Sequence, residues 1–260
     1  MLKAAYFDAD GTLVSFRTHE IPADARGALE RLGAAGVKRI LCTGRNAASS
    51  AALAETGLFD GFVYLNGQYC QLDGAVVRDA PVDGADLEIA MAGAEAGECT
   101  LEFIGLRDSF FNRLDDWTYR NSSSRAISPD RVRPVRQALE MTVYLFHLYG
   151  PRGSEDPLIR RACNLTSARW AKNFADVYPA DGGKAAGMRA VNAALGISPA
   201  ETIAFGDGEN DIPMLRYAGT GIAMGSADEI VRAAADFVTP SVDEGGISQA
   251  IGYFMEKNGL

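Results

Sequence analysis

The chain has 260 residues, 47% of them hydrophobic and 23% charged, which suits one large domain or one domain that carries an insertion. Its net charge of −9 argues against a nucleic-acid partner, because neutralising phosphates requires a basic face, and more weakly against an anionic membrane surface. With only two histidines, His19 and His147, a histidine-rich zinc site is excluded.

The first third of the chain alternates apolar runs with amphipathic stretches, which predicts strands and helices in turn. The predicted elements are a strand over 2–7, a helix over 21–35, a strand over 37–42, a helix over 46–56 and strands over 62–65 and 68–72. Gly11 forces a turn just after the first strand, and Asn66-Gly67 predicts a tight turn before the last one.

The middle of the chain, from residue 81 to residue 179, has more aromatic residues, more arginines and a less regular pattern. It predicts a helix over 83–96, strands over 98–104 and 141–149, a loop around 121–124, a helix over 158–163 and returning strands within 168–177. We therefore expect a small α+β unit over residues 81–179, inserted into a domain formed by residues 1–80 and 180–260.

Regular alternation returns in the last third. The predicted elements are a helix over 184–195, a capping box over 198–201, a strand over 202–205, a helix over 211–217, a strand over 221–223, a helix over 227–235, a short strand at 237–238 and a helix over 247–255. Because strands that alternate with helices are joined by right-handed crossovers, the predicted fold class is α/β with a parallel sheet.

Two acidic turns follow predicted strands at distant points of the chain. Asp8 and Asp10 come directly after the first strand, and the segment Gly206-Asp207-Gly208-Glu209-Asn210-Asp211 follows the strand over 202–205. Because ligands bind at the carboxyl ends of strands in an open α/β sheet, the two turns can meet around one divalent cation. Hard oxygen ligands favour Mg²⁺ as that cation.

Four motifs occur in a recognisable order: Asp8-Ala9-Asp10-Gly11-Thr12, Leu41-Cys42-Thr43-Gly44-Arg45, Lys184, and the second acidic turn. With them the chain resembles the haloacid dehalogenase (HAD) superfamily phosphatases of the Cof-type branch. The resemblance implies a Rossmann-like parallel-sheet HAD core over 1–80 and 180–260, with an α+β C2-type cap domain inserted at 81–179. It covers the two core segments well and the middle segment by position and size.

Hydrolysis of a phosphate monoester depends mostly on positioning and on neutralising negative charge. Asp8 fits a nucleophile that forms an aspartyl-phosphate, and Asp10 fits the group that protonates the leaving oxygen and then activates water. The resemblance implies that Mg²⁺ is held by the carboxylates of Asp8 and Asp207 and by a backbone carbonyl of Asp10. Asp211 is then expected to act through water or from behind the direct ligands.

The substrate phosphate is expected to meet Thr43, Gly44 and Lys184, which supply a hydroxyl, backbone N–H groups near a helix start and a positive charge. We expect Lys184 also to hold Asp8 by charge pairing and, with Thr43, to belong to the catalytic group. Asn210 matches the family position that contacts the phosphate. Arg45 either reaches toward the substrate or cap or is a solvated residue at a helix start, and the sequence leaves both open.

These expectations describe a phosphoric monoester hydrolase that acts on a small phosphorylated metabolite such as a sugar phosphate. A phosphomannomutase-like phosphotransferase would start from the same aspartyl-phosphate, so the motifs do not separate the two. A phosphate-binding regulatory module fits less well, because it has no reason to carry a cap-sized insertion. No G-x-G-x-x-G follows the first strand, which argues against a nucleotide-binding dehydrogenase.

The remaining signals concern location and specificity. The four cysteines lack C-x-x-C spacing and are expected to be structural, mostly buried residues. No signal peptide or membrane-length apolar run is present, so we expect a cytoplasmic protein. Oligomeric state stays open. Within the insertion, the possible specificity contacts are Arg107, Arg113, Trp117, Arg120, Arg125 and His147.

Overall fold

The apolar N-terminal segment forms a central strand of an eight-stranded sheet in the computed structural model, which describes residues 1–121, 127–169 and 171–259. Contacts divide the chain into two units. The first unit comprises residues 1–45, 50–78 and 183–260, and the second comprises residues 46–49 and 79–182. In the sequence, most of the second unit interrupts the first.

The N-terminal part contributes five strands and two helices to the first unit. They are β1 (Ala4–Asp8), α1 (Ala23–Ala34), β2 (Lys38–Cys42), α2 (Ala51–Ala54), β3 (Gly61–Tyr64), β4 (Tyr69–Leu72) and β5 (Ala75–Asp79). A short 3₁₀ turn at 65–67 joins β3 to β4 and holds Asn66 at a φ of 50°, which accounts for the turn signal in the sequence.

The second unit is built on antiparallel strands. Its elements are α3 (Gly84–Glu95), β6 (Thr100–Ile104), β7 (Ser109–Phe111), α4 (Asp116–Asn121), β8 (Leu145–Tyr149), α5 (Asp156–Arg161), β9 (Leu165–Ala168) and β10 (Phe174–Pro179). The strands form one sheet in the order β7-β6-β8-β10-β9. One sheet face packs against α3 and α5 through an apolar cluster that includes Phe103, Phe146 and Leu148.

The C-terminal part completes the first unit. Its elements are α6 (Lys184–Leu195), β11 (Thr202–Gly206), α7 (Ile212–Tyr217), β12 (Thr220–Met224), α8 (Glu229–Arg232), β13 (Phe237–Thr239) and α9 (Gly246–Asn258). The eight strands follow the order β13-β12-β11-β1-β2-β3-β4-β5. Neighbouring strands from β13 to β3 are parallel, and β4 runs antiparallel to β3.

Both faces of the first sheet are covered, which explains why β1 is buried throughout and mostly apolar before Asp8. Phe7 belongs to the cluster shared with α1 and α9 and stacks on Phe205 with ring centroids 4.9 Å apart. Tyr6 points to the other face, where its hydroxyl donates to Asn192 Oδ1 of α6 at 2.6 Å. A strand buried on both faces is typical of a parallel sheet between helical layers. The α/β fold class is therefore confirmed.

One predicted helix, over 46–56, is wrong in its first half, because only Ala51–Ala54 is α-helical. The Asn46 side chain accepts a hydrogen bond from the backbone N–H of Ser49 and donates to the carbonyl of Gly105, both at 2.9 Å. Local bonds of this kind compete with helix formation.

Other predicted bounds shift in the second unit. The strand predicted over 141–149 begins only at Leu145, and the returning strands lie at Leu165–Ala168 and Phe174–Pro179. The loop predicted around 121–124 starts on the last residue of α4, and its other residues lie outside the described ones. The strands β5 and β7 and the helix α4 are additional elements.

Candidate active site

The two acidic turns meet at the carboxyl ends of β1 and β11, which are neighbouring parallel strands. Asp8 is the last residue of β1, and Asp207 follows the last residue of β11. Together with Asp211, these residues offer carboxylate oxygens that all lie within 4.8 Å of one another. We call these three acids, with Lys184, the carboxylate cluster.

The first turn is shaped by Gly11, whose φ of +84° is a conformation that side chains disfavour. A Cβ at this position would lie 2.3 Å from Asp207 Oδ2, so only glycine permits this approach of the second turn. The next residue, Thr12, is fully buried, and its hydroxyl donates to Asp207 Oδ1 at 2.8 Å. The two turns are thus joined by a direct hydrogen bond.

Lys184, the first residue of α6, places a buried ammonium group between two of the acids. Its Nζ donates to Asp8 Oδ1 and to Asp211 Oδ1, both at 2.5 Å. This helix start comes close to the turn after β3, since a Cβ on Gly67 would lie 2.2 Å from the carbonyl oxygen of Gly183. Glycines at this contact therefore let the lysine reach the strand ends.

Asp211 is fully buried and held by the backbone of its own turn. Its Oδ2 accepts hydrogen bonds from the N–H groups of Asp207 at 3.0 Å and Gly208 at 2.9 Å, while its Oδ1 faces Lys184. Both carboxylate oxygens of Asp211 are thus held by donors of the protein. Its expected role, through water or from behind the direct ligands, stays a prediction.

The cluster has more negative than positive charge. Burial raises the pKa of Asp8 well above its usual range, and the nearby Asp211 and Asp207 carboxylates add to that shift against the opposing charge of Lys184. Burial and the charge of Asp211 raise the pKa of Asp207 to about 6. Burial alone would lower the pKa of Lys184, yet its two carboxylate partners raise it. Three acids thus share one ammonium group.

This charge excess and the donor set fit a hard divalent cation. Carboxylate oxygens are the ligands that Mg²⁺ uses in proteins, and a cation here would offset the repulsion that raises the pKa values of Asp8 and Asp207. The cluster therefore provides a chemically suitable cation site from residues of both acidic turns.

Asp10 and Arg45 form an ion pair beside the cluster. Arg45 Nε donates to Asp10 Oδ2 at 2.8 Å, and the second guanidinium nitrogen bonds Oδ1, so the contact is bidentate. The two side chains are about one quarter and one third exposed. The sequence left two roles open for Arg45, a contact with the substrate or cap and a solvated position at a helix start. The contact with Asp10 of the first acidic turn is a third arrangement.

The other predicted phosphate contacts lie on the turns after β2 and β11. Thr43 is buried, and its hydroxyl accepts the backbone N–H of Arg45 at 3.1 Å, with Gly44 between them. Asn210 donates through Nδ2 to Asn66 Oδ1 at 3.2 Å. The expected helix start beside Thr43 is wrong, since α2 begins only at Ala51.

The predicted site did not include Thr12 or Asn66, both of which contact predicted site residues. A signal was available for each. Thr12 is a polar residue inside the first motif, and Asn66 is a polar residue at the end of a buried strand, where the carboxyl ends of parallel strands meet.

A second charged network lies in the other unit, on the sheet face opposite its apolar cluster. Glu102, His147 and Asp176 are paired at one register across β6, β8 and β10. His147 Nδ1 lies 3.2 Å from Glu102 Oε2, and its Nε2 lies 3.2 Å from Asp176 Oδ1. Arg131 also pairs with Glu102 at 2.6 Å. We call these four residues the sheet network.

In the sheet network the negative and positive charges are equal in number. Burial alone would raise the pKa of Glu102, but its hydrogen bond with His147 and the charges of His147 and Arg131 lower it to about 2. Burial would likewise lower the pKa of His147, yet Asp176 and Glu102 raise it to about 9. Two acids thus face two cations.

The other residues considered for specificity have ordinary surroundings. Arg113 Nε donates to Thr100 Oγ1 and Trp117 Nε1 donates to the carbonyl of Asn173, both at 3.0 Å. Arg107 and Arg120 are exposed, and Arg125 lies outside the described residues. Among the cysteines, Cys42 and Cys70 are buried, whereas the exposed Cys163 departs from the expectation of a buried thiol.

Comparisons with known proteins show which family the chain is similar to. A family model described as haloacid dehalogenase-like hydrolase matches residues 5–251. The phosphoglycolate phosphatase of Archaeoglobus fulgidus is 30% identical over 96% of this chain and 95% of its own. The solved structure of the HAD subclass IIB sugar phosphatase BT4131 has a TM-score of 0.85 at 32% identity, covering 97% of this chain and 98% of that one. The phosphatase BT1666 of Bacteroides thetaiotaomicron has a TM-score of 0.91 at 32% identity, covering 98% and 95%.

None of the helices within residues 1–121, 127–169 and 171–259 combines the length and hydropathy of a bilayer-spanning segment.

Proposed function

The chain belongs to the haloacid dehalogenase-like hydrolases and is a phosphatase, and we propose that it uses Mg²⁺ to hydrolyse monoesters of small phosphorylated metabolites, in particular sugar phosphates. The carboxylate cluster carries this proposal, because it combines a strand-end nucleophile, a buried ammonium group and a set of hard oxygen ligands. The subclass of the sugar phosphatase BT4131 supports the substrate class.

The reaction begins with Asp8. One of its carboxylate oxygens attacks phosphorus and forms an aspartyl-phosphate, while the bond to the leaving oxygen breaks. Lys184 fixes the attacking carboxylate through Oδ1 and offsets part of the incoming negative charge. The carboxylates of Asp8 and Asp207 and the backbone carbonyl of Asp10 would hold Mg²⁺, with Asp211 acting through water or from behind them, and the ion when bound supplies charge neutralisation at the phosphoryl oxygens.

Asp10 handles the proton. It gives one to the leaving alkoxide in the first step and takes one from the water that attacks phosphorus in the second, which releases inorganic phosphate and regenerates Asp8. Arg45 donates to both carboxylate oxygens of Asp10 and therefore acts as the positioning residue of its ionised form, which is the form that takes a proton from the attacking water.

The phosphate contacts follow from the neighbouring turns. Thr43 supplies a hydroxyl, Gly44 a backbone N–H group, and Asn210 an amide held by Asn66. We propose that the second unit is the cap domain that the family resemblance implies. A cytoplasmic location stays a prediction from the sequence.

The test is a panel of phosphate esters, including phosphoglycolate and hexose phosphates, assayed for free phosphate with Mg²⁺ and with a chelator. We expect phosphate release only with the metal, at a higher kcat/KM for the sugar phosphates. Conversion of a sugar phosphate into its isomer without phosphate release would favour the phosphotransferase alternative. Binding of phosphate without turnover of any ester would favour a regulatory module.

A further inference from the structure

Phe16 is an exposed aromatic residue that follows the first acidic turn. Its relative exposure is 63%, whereas Leu13, Val14 and Ser15 immediately before it are buried. Burial of a phenylalanine side chain stabilises a protein, and this side chain forgoes most of that gain. A single exposed apolar residue is ordinary in itself. Phe16 differs because a hydrogen-bonded turn holds its backbone and because its ring lies beside the carboxylate cluster.

The backbone that carries Phe16 is held by the fully buried Ser15. The Ser15 hydroxyl donates to Asp243 Oδ1 at 2.8 Å and accepts the N–H groups of Arg17 at 3.0 Å and Thr18 at 3.2 Å. The Ser15 N–H also donates to the carbonyl of Glu20 at 3.1 Å. The exposed ring is therefore presented by a hydrogen-bonded turn.

The ring borders the carboxylate cluster. A Cβ at Gly11 would lie 2.7 Å from Phe16 Cε2 and 2.3 Å from Asp207 Oδ2, so the ring edge and that carboxylate both lie close to Gly11. The exposed aromatic side chains Tyr253 and Phe237 are ring partners of each other, with centroids 5.7 Å apart. Within the described residues, Phe16 has no such aromatic partner.

We propose that Phe16 is a specificity-determining residue, whose ring contacts the apolar C–H face of a ring-shaped leaving group such as a pyranose. The inference rests on the proposed function and adds a residue that selects the substrate. An aromatic face beside a polar reaction centre is a common way to bind a ligand that is apolar on one side. A leaving group without a ring, such as glycolate, gains little from that contact.

The test compares a hexose 6-phosphate with phosphoglycolate in the wild type, Phe16→Ala, Phe16→Tyr and Tyr253→Ala. We expect Phe16→Ala to raise KM for the hexose phosphate roughly tenfold, as expected for one aromatic contact. Its KM for phosphoglycolate and the Ki of inorganic phosphate should stay unchanged. Phe16→Tyr keeps the ring and should match the wild type, and Tyr253→Ala is the control for loss of an exposed aromatic residue elsewhere.

Equal losses on both substrates, or a changed Ki for inorganic phosphate, would assign Phe16 to the general support of the site and overturn the inference. No change with either substrate would overturn it too. A wild type that hydrolyses phosphoglycolate but no sugar phosphate would remove the inference while leaving a phosphatase. A wild type inactive on every ester would reject the proposed function itself, and this proposal with it.

Discussion

Each unit of the protein buries a group of charged side chains, and the two groups differ in their balance. In the carboxylate cluster, Asp8, Asp207 and Asp211 share the single ammonium of Lys184, and the pKa values of Asp8 and Asp207 rise. In the sheet network two acids face two cations, and the pKa of Glu102 falls to about 2. Buried carboxyl groups therefore have raised pKa values in the carboxylate cluster and a lowered pKa value in the sheet network.

This difference in charge balance distinguishes a candidate binding site from a network of structural ion pairs. Matched charges satisfy one another, and removing one partner leaves an uncompensated buried charge. An excess of one sign is unfavourable until a ligand of the opposite sign arrives, and perturbed pKa values of this kind concentrate at functional sites. We therefore expect the carboxylate cluster to lose stability in exchange for binding a cation, and we expect the sheet network to stabilise its own unit.

The largest expected effect is on turnover at the carboxylate cluster. Asp8→Asn should lower kcat by roughly 10⁴-fold or more, because the nucleophile is lost. The substitution also removes a negative charge from an over-negative cluster, so the thermal midpoint without metal should not fall. Steady-state kinetics and thermal unfolding check the two halves of the prediction. Activity near that of the wild type would exclude Asp8 as the nucleophile.

The same isosteric change in the sheet network should have the opposite effect on stability. Asp176→Asn leaves His147 with one acidic partner fewer and should destabilise the protein by about 3 kcal/mol. Phosphate release from substrate, measured below the unfolding transition, should change little. Chemical denaturation of both variants gives the comparison directly. Equal stability of the Asp8 and Asp176 variants would contradict the distinction between the groups.

The balanced network should also respond to alkaline pH. His147 has a pKa of about 9 in the folded protein, above its usual value near 6.5, so its contribution is complete below that usual value and declines as pH rises through 9. The loss should be on the order of 3 kcal/mol. Unfolding free energies between pH 6 and pH 10 measure it. His147→Gln, which does not titrate, should flatten this part of the profile.

The smallest effect concerns cation binding. Mg²⁺ at a hundred times its dissociation constant should stabilise the protein by about 2.7 kcal/mol through preferential binding to the folded state. Asp207→Asn should reduce this gain, and Asp176→Asn should leave it intact, since its network has no unmatched negative charge. Denaturation with and without Mg²⁺ measures both. If Asp176→Asn reduced the stabilisation by Mg²⁺, the cation would bind in the second unit, which would contradict its assignment to the carboxylate cluster.

The sequence predicted the fold and the carboxylate cluster because both depend on local signals. An apolar run that ends in Asp8 and another that ends before Asp207 predict two buried strands, and neighbouring parallel strands bring their carboxyl ends together. The roles assigned to these acids stay predictions until they are measured.

The sheet network could not be predicted in this way. Three of its members, Glu102, His147 and Asp176, lie on β6, β8 and β10, and their pairing depends on strand register, which single residues do not reveal. The bidentate contact of Arg45 with Asp10 was missed because the chain turns after β2, where a helix was expected. Tertiary contacts thus decided what local patterns left open.

The position of β1 has a consequence for biosynthesis. It pairs with β2 on one side and with β11, nearly two hundred residues later, on the other. A nascent chain on the ribosome therefore carries an apolar strand with one open edge until residues 202–206 emerge, and such edges promote misassociation. The second acidic turn directly follows β11. We therefore expect catalytic activity only after β11 has paired with β1, so enzyme activity would report completed folding of the newly made polypeptide.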